Sequence, residues 1–366
     1  MTVLHVINSL VRGGGAEKFL IELSIALKEK NVNVEILSIL APPEGNRDYL
    51  NILEKKGIPV HILTTGKLRS WKNINRLRNF IKTHNYSIVH GHLFPTLYFC
   101  SCITKKNIKL IYTEHSTDNK RRHYLFFRFL DRFVYQRYHR IVCISNKVQV
   151  LLSNHVKSIQ SLIIPNGINT SLILNAEPIP LNELGIYDTN IKFVTMCARF
   201  VKGKDYMTLF RSLKWMPENI HILCIGTGPL EDRYRQYCNE NQLSSRVHFL
   251  GLRKDVPQIL KRSDVIVLSS EHEGFSLSML EAMASGTPFI ASAVPGLIDL
   301  IEGYAVLFPF GDEQALATSI LRLLNDRIYR KEMIEKNCCF AKQFDILTTA
   351  EQYKILYTDL IEKNTI

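Results

Sequence analysis

Apolar positions in this chain fall into short β-branched runs. Each run is followed by a longer stretch where apolar residues recur at three- and four-residue intervals. The runs at 3–7, 34–39, 60–63, 88–90, 110–113 and 140–144 read as strands, and helical stretches follow nearly every one. Such alternation predicts a parallel sheet with helices on both faces, because each crossover between parallel strands must pass over one face of the sheet. The pattern breaks at 175–190, NAEPIPLNELGIYDTN, where Pro178 and Pro180 mark a linker. It resumes with strands at 192–197, 221–225, 247–249, 265–268 and 288–291. The chain reads as two tandem Rossmann-like, doubly wound α/β domains, 1–174 and 191–345, followed by 346–366, in which 348–361 reads as one more helix. Tandem domains of this kind bind a ligand in a cleft between them, at the carboxyl ends of both sheets.

Length agrees with this division, since 366 residues exceed one ordinary domain and suit two. No apolar run approaches the ~20 residues needed to span a bilayer. The N-terminal MTVLHVINSL has no cationic start and reads as a first strand rather than a signal peptide. Eight cysteines form no C-x-x-C pair and read as thiols of a reducing, cytoplasmic compartment. Charge is uneven: residues 1–175 carry 25 Lys and Arg against 10 Asp and Glu, and the remainder carries 21 against 24. A basic first half points to a polyanionic partner, either nucleic acid or an anionic membrane.

Candidate chemistry gathers at the ends of the strands. Gly13-Gly14-Gly15 follows the first strand and leads into a helix, where glycine lets a ligand approach the backbone or simply makes a tight turn. The spacing is not G-x-G-x-x-G, and the second strand ends Ile39-Leu40-Ala41-Pro42 without an acid for a ribose, which argues against a nicotinamide enzyme. No G-x-x-x-x-G-K-[ST] is present, which argues against a P-loop ATPase. Arg199 and Lys204, in ARFVKGKD, are a cation pair able to clamp a diphosphate, with Lys202 a poorer-spaced substitute for Lys204. In EHEGFSLSMLEAMASGTPFIAS, Glu273 and Glu281 stand eight residues apart around Gly274-Phe275-Ser276 and a helix beginning near Leu277. Eight helical residues span roughly 12 Å. That reach fits a ligand with a sugar, phosphates and a ribose in line, the helix start meeting the phosphates. His115 follows an apolar strand, a position that points toward the cleft, although taken alone it also reads as a satisfied structural histidine. His90 and His92 mimic a metal pair but lack a carboxylate partner, and read as cleft lining or core.

The Glu273–Glu281 segment resembles the donor-site signature of glycosyltransferase family four, retaining enzymes of the GT-B fold. Arg199 and Lys204 match the family's Arg-x4-Lys, although Ala198 stands where the family usually has glycine. Gly226-Thr227-Gly228-Pro229 matches its G-x-G-P turn. Asn166-Gly167-Ile168 resembles the segment before the family's interdomain linker and reads as a hinge. The resemblance implies that Glu273 positions the donor sugar and Glu281 the ribose. Amides near Phe275, Ser276 and Leu277 would meet the sugar and phosphates. Gly14, Gly15 and the active-site His115 join them from the first domain on closure, and Leu252 and Arg253 lie near the base. It also implies that the last helix returns to the first domain.

The implied activity is transfer of a sugar, with retention, from a nucleotide-diphosphate sugar, a UDP-sugar above all, to a lipid-linked glycan acceptor of a cell-surface polysaccharide. No cofactor or metal is expected, because the cations and the helix dipole do that work on the diphosphate. The aromatic and cationic stretch 120–140 reads either as an interfacial amphipathic helix or as an ordinary domain helix. In the first case Tyr124, Phe127, Leu130, Val134 and Tyr138 share one face and the protein sits peripherally on the inner face of a membrane. No nucleic-acid module is recognisable, so no nucleic-acid partner is expected. Two rival readings are a nucleotide-sugar epimerase of the same fold and a non-catalytic membrane or nucleic-acid binder.

Overall fold

The computed structural model describes residues 1–116, 124–157, 159–273 and 275–362, so Gly274 and the 120–123 part of the cationic stretch lie outside the described residues. The chain divides into two units, Met1–Gly167 with Ile346–Ile366 and Ile168–Asp345. In the first unit the strands are β1 (Thr2–Ile7), β2 (Asn33–Leu40), β3 (Val60–Thr64), β4 (Ile88–His92), β5 (Lys109–Glu114), β6 (Arg140–Cys143) and β7 (Ser161–Ile163). They form one sheet in the order β3-β2-β1-β4-β5-β6-β7, and every pairing is parallel. The second unit holds β8 (Lys192–Cys197), β9 (Ile220–Ile225), β10 (Val247–Gly251), β11 (Val265–Leu268), β12 (Phe289–Ser292) and β13 (Val306–Phe308). Their order is β10-β9-β8-β11-β12-β13, again all parallel.

Helices cover these sheets because the strands are apolar on both faces. Val3, Leu4, Val6 and Ile7 of β1, and Val265, Ile266, Val267 and Leu268 of β11, are all buried. Each such side chain contributes about 1.5–3 kcal/mol when fully withdrawn from water. Strand order reverses between β1 and β4 in one sheet and between β8 and β11 in the other. Loops leaving these strands diverge to opposite faces there, which opens a crevice at the carboxyl ends.

The proline-rich stretch at 175–190 is not a free linker. Ile179 and Ile186 are buried with Phe193, Leu223, Ile225 and Ile259, Ile179 N–H donates to the Gln258 carbonyl at 3.2 Å, and Arg262 Nε donates to the Ile179 carbonyl at 2.7 Å. Pro178 and Pro180 therefore do not detach the segment from the second unit. The C-terminal helix Ile346–Glu362 packs on the helix Gly15–Glu29 of the first unit, where Lys30 pairs with Glu351 at 2.7 Å.

The helix Leu125–Gln136 departs from its expected face. Val134 and Tyr138 are buried, and Phe127 and Leu130 are half-buried, so this face serves the core. Exposed instead are Phe126, Phe129 and Phe133, at 71%, 68% and 54%, with Tyr124 beside them. Among the described residues, no helix is long and apolar enough to cross a membrane.

Candidate active site

In the second unit the loops after β8 and β11, at the strand-order reversal, are stitched together through their backbones. Glu271 N–H donates to the Gly203 carbonyl at 2.9 Å and Asp205 N–H to the Ser269 carbonyl at 2.9 Å. Lys204 and Ser270 form a β-bridge. Asp205 caps the next helix by accepting from Thr208 N–H at 3.1 Å, and its other oxygen accepts from the Ser269 hydroxyl at 3.2 Å. Ser292 at the end of β12 completes the frame, accepting from Ser270 N–H at 3.0 Å and donating to the Ser270 carbonyl at 2.7 Å. This frame brings Lys204 Nζ into a direct ion pair with Glu273, and both side chains are mostly shielded. Lys202 is exposed, so the backbone geometry selects Lys204.

Glu273 leads into the helix Leu277–Ala284, whose N-cap, Ser276, makes no side-chain cap bond. Ser276 shares its hydroxyl with Ser278 at 2.9 Å instead. The first amides of this helix therefore keep their affinity for an anion. Glu281 lies on the same helix and is buried. Phe275 stacks edge-on against Phe344, with ring centroids 4.9 Å apart, and so anchors the segment to the core.

Arg199 is exposed on the β8 loop, and its guanidinium has no partner among the described residues. The loop itself is clamped by the Gly226-Thr227-Gly228 turn. Phe200 N–H donates to the Thr227 carbonyl at 3.1 Å. A Cβ on Gly226 would stand 2.2 Å from the Ala198 carbonyl oxygen, and one on Gly228 2.4 Å from that of Phe200. Glycine is required there by close backbone packing. Leu252 is exposed, but Arg253 is engaged by Asp255 through two bonds of 2.9 and 2.6 Å. That hydrogen-bonded pairing raises the Arg253 pKa.

The first unit brings together a second set. Gly14 is the N-cap of the helix Gly15–Glu29 and offers no side chain. The Glu17 carboxylate folds back over it, within 1.9 Å of where a Gly14 Cβ would be. That helix start thus already faces a carboxylate of its own chain. His115, just past β5, meets His92 of β4, with Nε2 3.1 Å from His92 Nδ1. His92 Nε2 lies 2.9 Å from Nδ1 of His5 on β1. Burial depresses the basicity of all three: the His5 pKa falls to about 3 and that of His115 to about 4, and that of His92 lies well below the ordinary histidine value. At neutral pH these imidazoles are uncharged. His90 and His92 are fully buried and so belong to the core. His5 carried no signal in the sequence, being one polar residue inside an apolar strand.

Among the described residues the predicted positions thus fall into two sets. Glu273, Lys204, Arg199, Phe275, Ser276, Leu277 and Glu281 gather in the second unit, and His115, Gly14 and Gly15 belong to the first. Arg253 is tied to its own loop.

Known proteins resemble the chain over most of its length. Residues 13–172 match the family described as Glycosyltransferase Family 4, and residues 183–337 match Glycosyl transferases group 1. A relative from Escherichia coli, UDP-Gal:alpha-D-GlcNAc-diphosphoundecaprenol alpha-1,3-galactosyltransferase, is 26% identical over 83% of each chain. N-acetyl-alpha-D-glucosaminyl L-malate synthase of Bacillus anthracis is 25% identical over 95% of this chain and 94% of its own. Among solved structures, Anabaena HepE in complex with UDP-glucose is similar with a TM-score of 0.81 at 20% identity, over 98% of this chain and 99% of that one. With the two sheets, their strand orders and the Glu273 segment, these matches show that the chain is a glycosyltransferase of GT-B architecture and belongs to glycosyltransferase family 4.

Proposed function

We propose that this enzyme transfers a hexosyl unit, with retention of configuration, from a uridine-diphosphate sugar to a lipid-linked saccharide of a cell-surface polysaccharide, and that it does so without a catalytic metal. The observation that carries this reading is the Lys204–Glu273 pair held at the uncapped start of Leu277–Ala284. One cation, one carboxylate and a set of free amides match the diphosphate, the sugar hydroxyls and the phosphate oxygens of such a donor. The names of the Escherichia coli relative and of the Anabaena complex support a UDP-linked donor, and the former supports a diphospho-lipid acceptor.

In this mechanism Glu273 holds the sugar hydroxyls and Glu281 the ribose. Arg199 and Lys204 stabilise negative charge as the bond from the anomeric carbon to phosphate breaks. The acceptor hydroxyl forms the new bond from the same face, and its proton passes to an oxygen of the departing diphosphate. His115, neutral at working pH, offers a hydrogen bond to the donor rather than a charge. The exposed Phe126, Phe129 and Phe133 with neighbouring Arg128 and Arg132 support peripheral attachment to an anionic membrane on its inner face.

A thermal-shift panel of nucleotides and nucleotide sugars tests the reading. Uridine diphosphate compounds should stabilise the protein by mass action, equally with and without EDTA, and the effect should be lost in Arg199→Ala. Product carrying an inverted anomeric centre would overturn the retaining step. Stabilisation abolished by EDTA would overturn the metal-free one.

A further inference from the structure

Four histidines meet beneath the carboxyl ends of β1, β4 and β5. The nitrogens of His5, His90 and His92 lie close enough together to consider a metal ion. The hydrogen bonds argue against one. Both nitrogens of His90 are engaged, by the Tyr357 hydroxyl at 2.8 Å and the Thr113 hydroxyl at 2.7 Å. Both nitrogens of His92 are engaged by His5 and His115. A cation would break these bonds and bring buried charge to a group without a carboxylate.

The bonds instead join three imidazoles in a row, His115–His92–His5. The two outer nitrogens, His115 Nδ1 and His5 Nε2, are buried and have no partner among the described residues. A neutral imidazole carries one N–H, which can sit on either nitrogen. Three neutral rings joined by two hydrogen bonds then have only two arrangements. In one, each ring donates toward His5, which leaves an N–H on His5 Nε2 and a bare His115 Nδ1. In the other, each ring donates toward His115, which leaves the N–H on His115 Nδ1 and a bare His5 Nε2. Each arrangement leaves one N–H without an acceptor, the rarer defect in folded proteins. His5 is fully buried, whereas His115, past the end of β5, is only half-buried, so the unmatched donor costs less at His115, nearer the surface. The second arrangement is therefore favoured.

We propose that His5 and His92 are positioning residues that hold His115 in the tautomer with its N–H on Nδ1, ready to donate to an oxygen of the sugar or phosphate. Burial keeps all three rings neutral, so the chain sets a direction of donation and carries no net proton. Its link to transfer rests on the reading of His115 as an active-site residue. The tautomer itself does not.

The test is long-range proton–nitrogen NMR on histidine-labelled protein at neutral pH, read beside kcat and donor KM. Wild type should show a protonated Nδ1 and a bare Nε2 on His115. His5→Phe removes the terminal donor and should mix the two tautomers, lowering kcat about tenfold with little change in KM. His5→Asn, whose amide can donate from the place of Nδ1, should restore both. His92→Gln provides a second break should His5→Phe fail to fold. A wild-type His115 protonated on Nε2, or a tautomer that ignores His5→Phe and His92→Gln, would overturn the relay. A tautomer that follows the variants while transfer stays at full rate would overturn the positioning role. Variant-dependent tautomers in a protein that transfers no sugar from any donor would uphold the relay and sink the transferase reading of the site.

Discussion

Lys204 and Glu273 neutralise one another in this structure, yet the mechanism gives them different parts of one ligand. A diphosphate must therefore compete with Glu273 for the ammonium. Replacing Glu273 by Gln removes that competition while deleting the sugar contact. Calorimetry should find uridine diphosphate bound to Glu273→Gln as tightly as to wild type or about two- to fivefold tighter, in keeping with the modest strength of a partly exposed pair. Transfer should fall by a factor of about 10² or more, the usual cost of one lost transition-state contact. Weaker uridine diphosphate binding would mean that the carboxylate orders the loop rather than reads the sugar. At this scale the spacing of Glu273, Glu281, Arg199 and Lys204 was legible, because each belongs to a short contiguous motif. Spacing already favoured Lys204 over Lys202; what no local pattern encodes is that the Gly203 carbonyl and the Lys204–Ser270 bridge bring Lys204 beside Glu273. Arg253 looked available until Asp255, two residues on, proved to hold it.

Elements carry the next set of consequences. The Gly226 turn and the Arg199 loop touch through carbonyl oxygens, so a methyl group on either glycine must push backbone aside. Gly226→Ala and Gly228→Ala should each cost about 1–3 kcal/mol, the range for forced overpacking, and should weaken nucleotide binding together with stability. Gly185→Ala is the control. Its φ is also positive, at 70°, but nothing lies within 4 Å of its added carbon, so it should melt closer to wild type and bind nucleotide normally. The parallel sheets at this level followed from alternation alone, but not the order of their strands. The three-residue strands β7 and β13 were too short to announce themselves. Residues 175–190 were misread because proline and polar residues mask Ile179 and Ile186, whose burial depends on side chains from β8, β9 and Val256–Arg262.

The first unit buries uncharged histidines that an unfolded chain would leave free to titrate. In the unfolded state each binds a proton below its ordinary value near 6.5. Folded, His5 does so only near 3 and His115 only near 4. Between those limits the unfolded chain holds more protons, so stability rises with pH and is lost as pH falls from 6.5. Each such histidine steepens the slope by up to about 1.4 kcal/mol per pH unit. Urea unfolding of the full chain at pH 7.5 and 5.0 should show a large acid loss, reduced in His5→Phe, whose ring cannot take up a proton. Equal acid losses in the variant and wild type would remove His5 from this account.

For the whole molecule, charge and apolar exposure coincide in one half of the chain. Residues 1–175 carry a net +15, and the outer stripe of Leu125–Gln136 presents Phe126, Phe129 and Phe133 to solvent. The two features act over different distances. Screened attraction between cations and anionic lipid weakens as salt rises, because the Debye length shortens from about 10 Å at 0.1 M to 3 Å at 1 M. Aromatic insertion is insensitive to salt and depends on buried apolar area. Vesicles containing phosphatidylserine should therefore bind the protein at low salt and release part of it at high salt. Arg128→Glu with Arg132→Glu should abolish the salt-dependent part. Phe126→Ser with Phe129→Ser should remove the remainder that survives high salt, and should leave nucleotide-induced stabilisation intact, because neither residue belongs to the proposed donor contacts. Sedimentation unaffected by either pair would show that this helix is an ordinary outer helix of its domain. Tryptic cleavage of the phenylalanine variants as slow as that of wild type would separate lost lipid contact from lost folding.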